Sequence, residues 1–388
     1  MFFTGPFRRP ALLITLAVAV ATVPSAAQSD LTSTIARVEQ LASTEFAKDP
    51  RGSLTIGLVS RDRLAWSKSY GEADVEQHIA ATADSVYRIG SITKQFTGLM
   101  LLQLVERGTV RLTDPVEKYL PEINRIAGRE PGWPAVTLIQ LATMTSGIAR
   151  EPQDLETFLS GPVSTWEQTT IKALERTRFA HEPGTRYLYS NIGYAILGAA
   201  LSRPARKPFT DYVRDEILIP LGMTRSAFEL NPGIAAAIAK GYTIRDGVLD
   251  GSAPAREHEG RGYKVPNGAL YTTVGDLAKF LAFELGHGPA TVLSVKGRDD
   301  NYSRVLSATG TLDSGYGIGF QTTRRGTMVA IGHGGSVAGY NAAAHVHRQS
   351  QTGVIVLRNL GGGPVSVGGL ALRALEVVAT AARTPNVP

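Results

Sequence analysis

The chain has 388 residues, no cysteine, 43% hydrophobic and 19% charged residues, and a formal net charge of +6. That length can bury a large core, the composition excludes general disorder, and the lack of cysteine excludes disulfides, thiolate catalysis and a lipoprotein anchor on an N-terminal cysteine. Lysines and arginines are dispersed among acids, so there is no nucleic-acid footprint, and nothing beyond the N-terminus is long and apolar enough to span a bilayer.

Residues 1–27 read as a signal peptide: Arg8 and Arg9 form the basic region, 11–23 the apolar run and Ser25-Ala26-Ala27 a small-residue cleavage site. The run is too short for a lasting membrane anchor, so the spacing predicts a periplasmic or secreted protein, with a single composite domain over 28–388. Residues 31–47 have helical spacing (Leu31, Ile35, Val38, Leu41), and 54–59 and 64–70 read as two strands joined around Arg61-Asp62-Arg63. Gly90 and Ser91 then open a helix on the apolar residues Phe96, Leu99, Met100 and Leu104, which closes near Gly108; Ser91 is expected to cap it. From 112 to about 226 the pattern predicts mostly helix, interrupted at prolines such as Pro115, Pro121, Pro183 and Pro204. Strands are expected at 316–321, 328–331, 342–347 and 354–358, and a last helix at 367–382, while 289–300 carries no clear pattern. The expected arrangement is α+β. An antiparallel sheet flanked by helices comes from about 31–110 and 310–388, and a mainly helical subdomain from about 111–309.

Three short stretches carry chemistry. A hydroxyl is a poor nucleophile on its own, and a lysine partly buried among Ile92, Phe96 and Tyr87 would lose proton affinity and accept the Ser91 proton; Lys94 stands one turn from Ser91 on the same helix face. Tyr189-Ser190-Asn191 follows the Pro183-Gly184 turn and precedes a helix expected at 194–201, so a phenol and an amide can point into one cleft. Gly332-His333-Gly334-Gly335-Ser336 closes an apolar strand, where glycines let a substrate lie against the backbone and the Ser336 amide can face an oxyanion.

Ser91-Ile92-Thr93-Lys94, Tyr189-Ser190-Asn191 and His333-Gly334-Gly335, in this order and at these separations, resemble the three motifs of the serine β-lactamase and penicillin-binding-protein superfamily, its class C branch most of all. That branch includes D-alanyl-D-alanine carboxypeptidases, D-aminopeptidases and β-lactamase-fold esterases. The resemblance implies a β-lactamase/transpeptidase-like fold and assigns roles. Ser91 attacks a carbonyl, Lys94 and Tyr189 manage its proton, Asn191 and His333 line the substrate site, and the amides of Ser91 and Ser336, beside Gly335, form the oxyanion hole. No cofactor and no metal is implied; His345 and His347 share a strand face without ligand partners and read as a surface pair.

Two positions depart from the β-lactamase pattern. Gly334 removes the hydroxyl that would help bind a substrate carboxylate, which predicts a preference for neutral esters or amides unless an arginine, for which Arg358 is the candidate, takes over. Met144 stands in Thr143-Met144-Thr145-Ser146-Gly147, where histidine is usual. A positive charge on His333 is expected to help Tyr189 lose its proton. The function expected is a secreted serine hydrolase acting on a small-molecule or peptide ester or amide, including peptidoglycan-derived substrates. The alternatives are a D-alanyl-D-alanine carboxypeptidase, a β-lactamase proper, or a catalytically silent peptidoglycan-binding or regulatory member.

Overall fold

The computed structural model describes residues 1, 26–302, 307–311 and 313–382. Most of the signal-peptide reading, at residues 2–25, lies outside the described residues. Among those described, no helix is long and apolar enough to cross a membrane.

Nine strands form one antiparallel sheet: β1 (Ser53–Ser60), β2 (Arg63–Asp74), β3 (Ile79–Ala80), β4 (Ser307–Ala308), β5 (Ser314–Tyr316), β6 (Gln321–Arg325), β7 (Met328–Val337), β8 (Tyr340–His347) and β9 (Thr352–Arg358). Their order is β3-β2-β1-β9-β8-β7-β6-β5-β4, so the first hairpin joins the C-terminal meander where Ile56 faces Val356. Everything between β3 and β4 is an insertion that leaves and re-enters this sheet. β9 is buried along its whole length, and its alternation assigns each side chain to a layer. Val354 and Val356 join Leu54, Ile56 and Leu58 under the helices α1 (Ala26–Phe46) and α5 (Val367–Ala381). Ile355 and Leu357 point the other way, into the larger core shared with the insertion. α5 reaches the sheet through Leu370, Ala371, Ala374, Leu375 and Val378, the spacing of one helical stripe.

At the centre of the larger core lies α2 (Thr93–Glu106), apolar around most of its circumference and buried from Thr93 to Leu101. Such a helix belongs between layers, and α2 packs against α3 (Asn191–Ala205) and the short helix Val265–Gly268. α4 (Val274–Ala282) lies against β1 and β9.

Within the insertion, residues 112–226 are helical in their regular elements, as expected, but most of those helices are short. Residues 112–226 hold short helices at Leu138–Ala142, Trp166–Leu174 and Phe209–Val213, besides α3, joined by 3₁₀ turns and irregular chain. Each proline removes a helical donor and restricts the residue before it, so the apolar spacing survives in pieces too short to make a bundle. Pro204 does not break α3, because it falls within the last turn. The expected strand at 316–321 is two strands around a turn, and the unassigned stretch ends in a helix at Val295–Tyr302. β7 runs on through Gly334 and Gly335 to Val337 rather than ending before them.

Candidate active site

Gly90 has a left-handed φ of +52° and opens a 3₁₀ turn, Gly90–Ile92, that feeds α2. A side chain at Gly90 would strike Ser336 of β7, its Cβ lying 2.8 Å from the Ser336 nitrogen, so only glycine permits this approach. Ser91 does not cap the helix. The 3₁₀ turn places residues i and i+3 one above the other, and the hydroxyl faces Lys94 Nζ at 3.0 Å and Tyr189 OH at 2.9 Å.

Lys94 is fully buried. Its neighbours are the rings of Tyr189 and Tyr194, at 4.9 and 5.6 Å from Nζ. Burial, aided by the positive charges of Lys264, Arg150 and Arg261 and opposed by Glu151, holds its pKa well below the usual lysine value. A neutral amine has two N–H donors and one lone pair. The Asn191 Oδ1 at 2.8 Å and the Asn267 carbonyl at 3.0 Å take the two donors, which leaves the lone pair for the Ser91 hydroxyl. Asn191 is itself held, because its Nδ2 donates to Glu151 Oε1 at 2.7 Å and so fixes Oδ1 toward Lys94. Both ends of this amide therefore have internal partners. Glu151 also accepts from Tyr263 and has Lys264 at 3.6 Å.

Ser190, not Asn191, caps α3: its Oγ accepts from the Gly193 N–H at 2.9 Å, and the helix starts at Asn191, earlier than the spacing predicts. Tyr189 precedes the cap and donates its phenol proton to Ser91 Oγ. Desolvation pushes its pKa above the ordinary value, against the pull of Ser91 and Arg150, so the resting group is a phenol. The Arg150 guanidinium lies 4.8 Å from the ring centroid.

The glycines of β7 make the other wall. A Cβ at Gly335 would lie 1.9 Å from the Ile89 carbonyl oxygen and 3.2 Å from the Ser91 nitrogen, so only a bare backbone lets β7 lie directly against the turn that carries Ser91. His333 is buried, and its ring is tied at both nitrogens. Nδ1 lies 2.5 Å from the Gly334 carbonyl, which can only accept, so Nδ1 carries the proton and Nε2 accepts from Tyr316 OH at 3.1 Å. Burial first, and then the Lys94 charge, lower its pKa to about 3. The expected positive charge on His333 is thus absent at neutral pH; the cation beside Tyr189 is Arg150.

Ser91, Tyr189, Asn191, His333, Gly335 and Ser336 line one cleft of about 890 Å³, and Lys94 lies beneath it. Arg358 is elsewhere. It is buried at the end of β9, donates to the Asp49 carbonyl and lies over the Phe46 ring, with no place in the cleft. His345 and His347 are buried rather than a surface pair, because they share a face of β8 with Ala343 and α5 packs on that face; no cluster of metal-ligating residues occurs among the described residues. Sequence reasoning missed Arg150, Glu151, Lys264 and Asn267. The stretch Pro266-Asn267-Gly268 does stand out in the sequence, whereas Arg150-Glu151 has no local pattern and reaches the cleft only because the chain returns there.

Residues 38–379 match the beta-lactamase family model. The chain is 29% identical over 314 residues to beta-lactamase-like protein 2 of Dictyostelium discoideum, covering 78% of this chain and 55% of that protein. It is 26% identical over 329 residues to protein flp of Staphylococcus aureus (strain MRSA252), covering 84% and 62%. It therefore spans less than two thirds of the length of these relatives. Among solved structures, the octameric penicillin-binding protein homologue from Pyrococcus abyssi is similar, with a TM-score of 0.76, 27% identity, and coverage of 89% of this chain and 77% of that one. With its three motifs gathered in one cleft and this match along its length, the chain belongs to the beta-lactamase family, within the serine β-lactamase and penicillin-binding-protein superfamily.

Proposed function

We propose that this chain is an exported serine hydrolase that cleaves an ester or amide through an acyl-enzyme at Ser91. The observation that carries the reading is the Lys94 amine, buried and with its two donors occupied, set 3.0 Å from the Ser91 hydroxyl. The Ser91 proton passes to Lys94 as Oγ bonds to the carbonyl carbon, and the carbonyl oxygen takes the negative charge between the Ser91 and Ser336 amides. As the tetrahedral species collapses, the leaving group departs with a proton from Tyr189, and the proton held by Lys94 returns to the tyrosinate, so both groups are neutral beside the acyl-enzyme. Water then attacks the acyl-enzyme and gives its proton to Lys94 by way of the Tyr189 phenol, and Lys94 returns it to the Ser91 oxygen as the acid leaves. Export rests on the composition of residues 1–27. The intact trio argues against a silent binding or regulatory member, since a merely structural site has no need of a desolvated amine.

Gly334 offers no hydroxyl for a substrate carboxylate, which favours neutral esters or amides. A second reading, a carboxypeptidase or β-lactamase, is favoured by Arg150, an exposed guanidinium on the cleft wall whose nearest carboxylate, Glu151, is 4.0 Å away. The values of kcat/KM for 4-nitrophenyl butyrate, a chromogenic cephalosporin and a D-alanyl-D-alanine peptide separate the two. The first reading expects the neutral ester to lead by about tenfold, the loss expected for one missing charged hydrogen bond. A lead for either carboxylate-bearing compound establishes the second, and no turnover of all three contradicts both.

A further inference from the structure

We infer that Met144 is a positioning residue that holds the Tyr189 phenol at working distance from Ser91. The inference rests on the acyl-enzyme reading above. Met144 is fully buried and has a left-handed φ of +60°, a conformation that costs energy for any residue with a Cβ and is tolerated better by Asn, Asp and His. The conformation sends carbonyl and side chain to the same neighbouring segment. The Met144 carbonyl accepts from the Leu188 N–H at 2.7 Å, and Sδ accepts from the Ser190 N–H at 3.2 Å. Leu188 and Ser190 are the two residues flanking Tyr189, so one residue grips the backbone on both sides of the phenol.

Ser190 Oγ also donates to the Ala149 carbonyl at 2.8 Å, so what Met144 holds alone is the backbone N–H on each side of Tyr189. The Gly184 N–H donates to the Thr145 carbonyl at 2.7 Å and the Asn191 N–H to the Arg150 carbonyl at 2.9 Å, which fixes the ends of the 184–191 segment. Between those ends, the Ser190 N–H is buried against the thioether, a weak but polarisable acceptor. Losing Sδ frees that N–H to seek another partner, and the cheapest adjustment is a rotation of the Tyr189–Ser190 peptide. That rotation swings the phenol, whose oxygen must remain 2.9 Å from Ser91 Oγ. A displacement of a fraction of an ångström is enough to slow proton transfer without altering the cleft that binds substrate.

Met144→Leu keeps the volume and removes the acceptor; Met144→His restores an acceptor in a residue suited to the left-handed conformation. Rates are taken per active site titrated with a fluorophosphonate, so that misfolded protein is not counted. The expected result for Met144→Leu is a fall in kcat of about tenfold with KM within about twofold, and recovery to within about threefold of wild type in Met144→His. In a Tyr189→Phe background Met144→Leu adds less than about twofold, because its effect passes through the phenol. Unchanged kcat in Met144→Leu, a fall that histidine does not reverse, or a full additional loss in the Tyr189→Phe background overturns the inference. If Met144→Leu yields no folded protein, Met144→His alone decides: a tenfold loss of kcat there also overturns it. Absence of an acyl-enzyme in the wild type would instead remove the reading on which it rests.

Discussion

In the proposed reaction Lys94 sets the pH dependence. Below its depressed pKa the amine is protonated, its lone pair is gone and Ser91 has no base, so kcat/KM falls as pH drops and levels above that value. His333, lowered to about 3, contributes no inflection near 6.5, and Tyr189, raised by burial, stays a phenol through neutral and mildly alkaline pH. The expected profile is a single acid limb. Glu151 is the group that raises the Lys94 pKa, so Glu151→Gln moves this limb to lower pH; a limb that stays in place, or a break near 6.5 lost in His333→Gln, contradicts the assignment. Ser91 and Lys94 were legible in the sequence because three residues of one turn fix their relation. Arg150, Glu151 and the grip of Met144 on Tyr189 were not, because their partners lie about 40 residues away and only the fold brings them together.

At the scale of elements, the proposed oxyanion site depends on β7 lying directly against the Gly90–Ile92 turn. The two glycines of the third motif are unequal there. A Cβ at Gly335 meets the Ile89 carbonyl oxygen at 1.9 Å, whereas at Gly334 the nearest atom is the Ala342 carbonyl oxygen at 3.9 Å. Gly335→Ala is expected to lower kcat at least a hundredfold, the loss associated with one oxyanion donor, while Gly334→Ala stays within about threefold. Steady-state kinetics on both variants checks this, and equal effects would show that the approach of turn and strand does not form the hole. The strands expected at 54–59, 64–70, 342–347 and 354–358 and α5 lie close to their sequence positions because period-2 and period-3.6 patterns survive in long elements, whereas a turn at 317–320 splits the strand expected at 316–321. The 112–226 part of the insertion is helical in its regular elements, as expected, but prolines cut the apolar spacing into shorter pieces than the pattern predicts, and Ser91 was misread as a cap because a 3₁₀ turn precedes α2.

For the whole molecule, burial of neutral imidazoles has a thermodynamic consequence. His333 is lowered to about 3 and His258 and His345 to about 4, each chiefly by desolvation. Unfolded, these groups take up protons below about 6.5, and folded they do not, so stability is present above that pH and lost as pH falls toward 4. Each contributes at most about 1.4 kcal/mol per pH unit in that window. Urea unfolding between pH 7.5 and 5 should show a steady loss of stability, and His345→Gln, away from the site, should reduce the slope by about one proton. A flat profile would mean that these imidazoles protonate without unfolding.

The central claim, a nucleophile at Ser91 activated by Lys94, is tested most directly by covalent labelling. The full chain is treated with a fluorophosphonate and the peptide containing Ser91 is weighed by mass spectrometry, with Ser91→Ala alongside. Because the Ser91 hydroxyl caps no helix, Ser91→Ala should melt at the wild-type temperature, so a lost label reports chemistry rather than unfolding. The account predicts a stoichiometric adduct on Ser91 in the wild type and none in Ser91→Ala; a folded wild type that takes no adduct, or an adduct that persists in Ser91→Ala, would contradict it.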